Sequence, residues 1–310
     1  MITIPYGQTA RRLEWHFLPP HIRAAVEERL GVPVIEAVSQ PAGFTPGLAC
    51  VLTGSDGRRI FVKAAASVAQ RAFAQAYLAE ARILRALPPG VPAPALLWTI
   101  EDDWVVLGIE YVEGRSPQRP WSPAELRTCL DALEAMDLEW VGVPDGLTLD
   151  PLTEEFAALP AAWDAVRLQE PGLAHLDEAA ALAARMSSVI DGEALVHTDL
   201  REDNVLLGRT GRVWLCDWNW AALGAAWIDT VCLLIQAYGD GIDADAVLTE
   251  RRLTRDVPAE HIDVLLALVA GYFFAQSALA VPASSPWLRA HQSWMARATW
   301  SWLGERRDWT

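Results

Sequence analysis

The sequence lacks paired cysteines, is short of cationic side chains and has no long uninterrupted apolar run. Each shortage removes a class of answer. Its four cysteines, Cys50, Cys129, Cys216 and Cys232, are scattered with no CxxC spacing. That argues against a zinc site and for reduced thiols in a cytoplasmic protein. Lysine and arginine number 25 against 40 aspartates and glutamates, a formal net charge of −15. Such a surface repels nucleic acid and anionic lipid, keeps a chain soluble and favours cationic partners. The opening "MITIPYGQTARRLEWHF" carries no apolar h-region, so no secretory leader is read there. One stretch imitates a membrane span, because Val264 to Leu288 holds no charged residue. Gln276, Ser277, Pro282 and an "ASSP" break interrupt it. About a dozen strongly apolar residues remain, short of the ~20 a span needs, and a buried core helix is the reading.

What the chain does have is enough apolar residue to fold. Its 310 residues are 52% hydrophobic and 21% charged, which fits one large or two medium globular domains. The first third mixes α and β. "PPHIRAAVEERLG" (19–31) predicts a short helix closed by Gly31, and "LACVLTGSDGRRIFVKA" (48–64) predicts two strands joined at "GSDG". A long helix over 67–87 stops at "PPG", and "APALLWTI" and "WVVLGIEYV" read as two more strands. After "EGRSPQRP" helices take over. "SPAELRTCLDALEAMD" opens as a capping box, with Ser122 as N-cap, Pro123 in the first turn and Glu125 three residues on. Strand signals return in "NVLLG" and "RVWLCDW", and 227–309 is mostly helical. The sum is an α+β chain in two lobes, a small β-rich N-lobe over 1–112 and a larger, mainly helical C-lobe over 113–310.

Residues 197–204, "HTDLREDN", form a polar island between the apolar runs "EALV" and "VLL". Asn204, and Asp217 at the end of the following hairpin, are oxygen donors on adjacent strand ends. Together they suit a hard cation such as Mg²⁺ and leave Asp199 free to accept a proton. Upstream, Lys63 ends the strand "IFVKA", and Glu80 on the next helix can hold its ammonium in place for a phosphate. In "AGFTPGLA", Gly43, Thr45 and Gly47 belong to a turn between strands where backbone amides can approach an anion.

With these motifs in order over about residues 40–235, the chain resembles the aminoglycoside phosphotransferase family within the protein-kinase-like fold. "HTDLREDN" matches the HxDxxxxN catalytic loop, "LCDW" stands in the place of DFG, "FVKA" holds the strand lysine, and "LGIEYVEG" is the hinge. The resemblance implies that Lys63 contacts the α/β-phosphates and pairs with Glu80, while Asp199 orients or deprotonates the acceptor hydroxyl. It implies that Asn204 and Asp217 hold Mg²⁺ and that the Glu110 carbonyl and Val112 N–H bind the base of ATP or GTP. Asp229 becomes the acid bracing the catalytic loop, His197 its packing partner, and Arg201 a contact to the transferred phosphate. Two features depart from the pattern. Gly43-x-x-x-Gly47 is poorer in glycine than GxGxxG, and "DWN" puts Trp218 where a phenylalanine usually packs.

Only eleven residues separate Asp217 from Asp229, too few for the activation loop a protein kinase needs to hold a peptide. The expected acceptor is therefore a small-molecule hydroxyl. A cationic antibiotic fits the charge, in a resistance or self-resistance enzyme acting as monomer or homodimer, without nucleic-acid or membrane partners. The alternatives are a metabolite kinase of the same fold (choline, homoserine or a sugar) and a pseudokinase that only binds nucleotide. Glu202 and Asp203 have no role in this scheme and are expected to face solvent. The fifteen tryptophans read first as core; Trp218, Trp220 and Trp227, with Trp287, Trp294, Trp300 and Trp302, are the alternative walls of an acceptor pocket.

Overall fold

The computed structural model describes residues 9–309; residues 1–8, over which the leader reading partly runs, and Thr310 lie outside the described residues. The N-terminal lobe begins with α1 (Pro20–Leu30), which ends where Gly31 takes a φ of 79°, a left-handed conformation that glycine adopts without steric cost. Strands β1 (Val34–Ser39), β2 (Leu48–Gly54) and β3 (Arg59–Ala66) follow, then α2 (Arg71–Ala86), β4 (Leu96–Glu101) and β5 (Trp104–Glu110). They make one antiparallel sheet in the order β1-β2-β3-β5-β4. The helix expected over 67–87 starts at Arg71, because the Gln70 side chain accepts the Ala66 N–H and the chain turns there first.

The period of two along the strands decides which residues reach the cleft. Ile60, Val62 and Ala64 of β3 join Leu48, Cys50 and Leu52 of β2 in a core beneath Ile22, Val26 and Leu30 of α1. Phe61 and Lys63 consequently face the opposite side, where α2 buries Tyr77, Glu80, Ala81 and Leu84. Register aligns Ala49, Lys63 and Leu107 across β2, β3 and β5.

The second lobe runs through β6 (Gly114–Arg115), α3 (Pro123–Glu139), α4 (Leu152–Glu155), α5 (Ala162–Gln169) and α6 (Leu176–Ala183). Next come β7 (Ala194–Val196), β8 (Val205–Gly208), β9 (Val213–Leu215) and β10 (Ala222–Gly224), then α7 (Ile228–Gly239), α8 (Ala244–Glu250), α9 (Ala259–Ser277) and α10 (Leu288–Arg306). Two small sheets, β6-β8-β9 and β10-β7, frame the island at 197–204. The architecture is the expected two-lobed α+β fold.

The capping box at α3 does not form. Ser122 makes no side-chain cap bond, and Glu125 instead accepts from the Gln118 N–H at 2.8 Å and from Arg115 at 2.5 Å. A guanidinium within reach outcompetes the reciprocal cap. The charge-free stretch 264–288 resolves into most of α9, a turn through Pro282 and the start of α10. Although α9 is long and apolar enough to cross a membrane, it packs against α5, α6 and α10 as the central helix of the lobe. Several tryptophans pack in the core, although Trp218 also borders the cavity between the lobes. Trp163, Trp218 and Trp302 are fully buried, Trp227 is buried, and Trp300 packs on Trp163 and Phe274. Trp220, 57% exposed, remains beside the island at 197–204.

Candidate active site

Between the lobes lies a cavity of about 270 Å³ bordered by Lys63, Glu80, Glu110, Val112, Asn204 and Asp217, with Gly43 at its rim. Lys63 is its electrostatic centre. The ammonium donates to Glu80 Oε1 at 2.7 Å, Glu80 Oε2 at 2.8 Å and Asp217 Oδ1 at 2.6 Å. Glu80 is 1% exposed, so the ion pair is desolvated and neither charge is dispensable on its own. Burial alone favours a neutral amine, but the charges of Asp217 and Glu80 overcome it and hold the Lys63 pKa above its ordinary value. Burial pushes Asp217 up, yet Lys63 outweighs it and the carboxyl is held below its usual range. Glu80 is raised, burial prevailing over Lys63.

The island is fixed by a lattice of short-range contacts. Asp229, in the first turn of α7, accepts the His197 N–H at 2.6 Å and the Thr198 N–H at 2.9 Å on its two carboxylate oxygens. Thr198 has a φ of 66°, costly for a β-branched residue, and its hydroxyl donates to the Trp220 carbonyl at 2.9 Å. His197 Nε2 donates to the Cys216 carbonyl at 2.8 Å, the Cys216 N–H returns to the Asn204 carbonyl at 2.8 Å, and the His197 ring meets Trp218 edge-on. These contacts place Asp217, at φ 72°, opposite Asn204.

Asn204 donates through Nδ2 to the Asp199 carbonyl at 2.8 Å and to Asp199 Oδ2 at 3.2 Å, which fixes the carboxylate and turns the amide oxygen away from it. Burial raises the Asp199 pKa, with Arg201 opposing, so the carboxylate is a stronger base than an exposed one. The Asn204 amide oxygen and the Asp217 carboxylate border one cavity, and this hard-oxygen pair fits Mg²⁺.

Not every expected residue lies at the cavity. Glu110 and Val112 do, and the Glu110 side chain accepts the Ala95 N–H at 3.1 Å. Thr45 and Gly47 are not on its wall. A Cβ on Gly47 would meet the Tyr77 hydroxyl at 2.7 Å and the Ala64 carbonyl at 2.8 Å, which ties this glycine to close packing of β2 on β3 and α2. Arg201 is held between Asp199 at 3.5 Å and Asp203 at 3.2 Å, with its guanidinium over the Phe44 ring. The expectation that Glu202 and Asp203 face solvent is wrong. Glu202 is 6% exposed beside Arg119, and Asp203 borders the cavity, because the one-turn 3-10 helix Glu202–Asn204 rolls them inward. Arg12, which belongs to no motif, also lines the cavity.

A model of the phosphotransferase enzyme family matches residues 47–265. No curated protein matches the chain by sequence. Among solved structures, a thermostable aminoglycoside phosphotransferase mutant in ternary complex with AMP-PNP and hygromycin B superposes with a TM-score of 0.62 at 14% identity, over 90% of this chain and 99% of that one. The choline kinase LicA from Streptococcus pneumoniae gives 0.55 at 13% identity over 91% and 99%. A macrolide 2'-phosphotransferase type I gives 0.53 at 19% identity over 91% and 95%. At these identities the likeness is one of fold.

Proposed function

The chain belongs to the phosphotransferase enzyme family, and from that premise we propose that it is a small-molecule kinase moving the γ-phosphate of ATP or GTP to a hydroxyl of an antibiotic, aminoglycoside-like or another natural product. The observation that carries the reading is the Lys63 ammonium held between Glu80 and Asp217 on the wall of a cavity that Asn204 closes next to Asp199. In this reading residues 1–112 hold the nucleotide and 113–310 supply the catalytic loop and the acceptor surface. The Lys63 ammonium meets the α/β-phosphates, and Glu110 and Val112 present backbone groups to the base. The acceptor hydroxyl gives its proton to the Asp199 carboxylate as its oxygen bonds to the γ-phosphorus. The bond from that phosphorus to the bridging oxygen breaks, and nucleoside diphosphate leaves. Asn204 and Asp217 would hold Mg²⁺, which when bound neutralises charge on the phosphates.

The net charge of −15 supports a cationic acceptor. The unpaired thiols support a reducing compartment, the cytoplasm. The fold likeness to a choline kinase supports a second reading, a metabolite kinase with a small cationic acceptor. Nucleotide turnover over aminoglycosides, macrolides, nucleoside antibiotics, choline, homoserine and sugars separates the two. Turnover with an antibiotic is the expected result, and turnover with choline alone moves the assignment to the second reading. Nucleotide binding without turnover of any acceptor overturns both.

A further inference from the structure

The loop between β1 and β2 is held in an unusual way. Every backbone carbonyl from Gln40 to Thr45 accepts a hydrogen bond from outside the loop. Arg12 Nε donates to Gln40 O at 3.2 Å, Arg12 Nη2 to Ala42 O at 2.5 Å, and Arg12 Nη1 to Thr45 O. The Thr9 and Ala10 amides donate to Pro41 O at 3.0 Å, Thr9 Oγ1 to Gly43 O at 2.5 Å, and Ser285 Oγ to Phe44 O at 2.5 Å. A trans peptide points its N–H opposite to its C=O, so carbonyls drawn onto the guanidinium turn the following amides away from it. Pro41 and Pro46 have no amide hydrogen to offer. Arg12 itself lines the cavity together with Gln40, Ala42 and Gly43, so the positive charge offered there is the guanidinium that holds the loop carbonyls.

We propose that Arg12 is the phosphate grip of this loop, its guanidinium organising Gln40–Thr45 and contacting the donor nucleotide's phosphates in place of the backbone amides of a glycine-rich turn. Of the five N–H donors of a guanidinium, three are committed to loop carbonyls, and two remain for phosphate oxygens. Lys63 borders the same cavity, so the phosphates lie within reach of two permanent cations, with Asn204 and Asp217 on the same cavity's wall for the metal. The scarcity of glycine follows, since a loop that binds phosphate through a side chain does not need a Cβ-free approach of its backbone. This inference rests on the nucleotide-dependent reading above.

The test is calorimetric binding of ATP, ADP and adenosine, with Mg²⁺, to the wild-type chain and to Arg12→Ala, Arg12→Lys and Thr9→Ala. Arg12→Ala is expected to weaken ATP about 10- to 100-fold and ADP less, and to leave adenosine unchanged. Arg12→Lys, which keeps the charge and loses the fork, falls in between. Thr9→Ala frees one loop carbonyl without touching the charge and shifts ATP by less than Arg12→Lys. Equal ATP affinity in wild type and Arg12→Ala, or an equal loss for ATP and adenosine, overturns the role of Arg12. A wild-type chain that binds no nucleotide overturns the kinase reading first. Should Arg12→Ala fail to fold, Arg12→Lys against Thr9→Ala decides: a Thr9→Ala loss equal to or larger than that of Arg12→Lys overturns the grip.

Discussion

The two loops that face each other across the cleft are built by opposite means. The island at 197–204 is braced from within one downstream segment that ends at the start of α7. Asp229 takes two consecutive amides, Asn204 holds Asp199, and Cys216 ties back to both His197 and Asn204. The loop at 40–45 is braced from both ends of the described chain, by Thr9, Ala10 and Arg12 on one side and by Ser285 on the other. In the first loop the bracing residues are part of a recognisable spacing. In the second they are single side chains with no local pattern. Both loops are braced across about thirty residues or more, so it is membership of a spaced motif, and not distance along the chain, that makes a brace identifiable before folding.

The largest expected effect tests the island at 197–204. Asp199→Asn keeps the volume and the hydrogen bond to Asn204 but removes the base. Turnover with the accepted substrate is expected to fall about 10²- to 10⁴-fold, with ATP affinity within a factor of two. Wild-type kcat in that variant would falsify the role given to Asp199. Next in size is Asp229→Ala, which leaves the His197 and Thr198 amides without their acceptor. With each of the two unsatisfied buried groups costing about 1–3 kcal/mol, a stability loss of about 2–6 kcal/mol is expected in urea unfolding. Thr198, no longer held at positive φ, then releases the island, and activity falls with stability while adenosine binding survives. An undisturbed unfolding midpoint would show that the brace is not what orders the loop.

That contrast also explains how much was legible in the sequence. The strands were readable from alternating apolar residues and turn glycines, and Lys63 from its strand, although that strand runs on to Ala66 instead of ending at the lysine. Asp199, Asn204 and Asp217 stood out because their spacing is bound to one strand hairpin, and Asp229 stood out only through the family resemblance; the structure brings the four to neighbouring elements. Glu202 and Asp203 were misread, since a polar run gives no sign that a one-turn helix will carry acids inward. Ser122 and Glu125 matched a capping box, but Arg115 supplied a stronger partner than a backbone amide. Arg12 gave no signal at all. Its partners are backbone carbonyls, which any sequence provides, and its function depends on the approach of segments 28 to 33 residues apart.

The smallest expected effect tests the remote bracing from the C-terminal side. His291 of α10 is 4% exposed, lies against the Phe44 ring at 5.0 Å and leaves Nε2 without a partner among the described residues. Burial, together with the charges of Arg201 and Arg119, lowers its pKa well below 6.5. The native state therefore keeps this imidazole neutral at a pH where the unfolded chain already takes up a proton. Below pH 6.5 the unfolded state binds more protons, so stability falls as pH falls, by up to about 1.4 kcal/mol per pH unit, until the native pKa is reached. His291→Phe retains the ring against Phe44 and removes the titration. Urea unfolding of both chains at pH 7 and pH 5 isolates the contribution, because every other titrating group is common to the two. The wild type is expected to lose more stability over that interval than the variant, and parallel losses would mean that His291 titrates in the native state as it does in the unfolded chain. In that case a cation forms beside Phe44 as the pH falls through the ordinary histidine range, and burial in α10 does not hold the contact neutral.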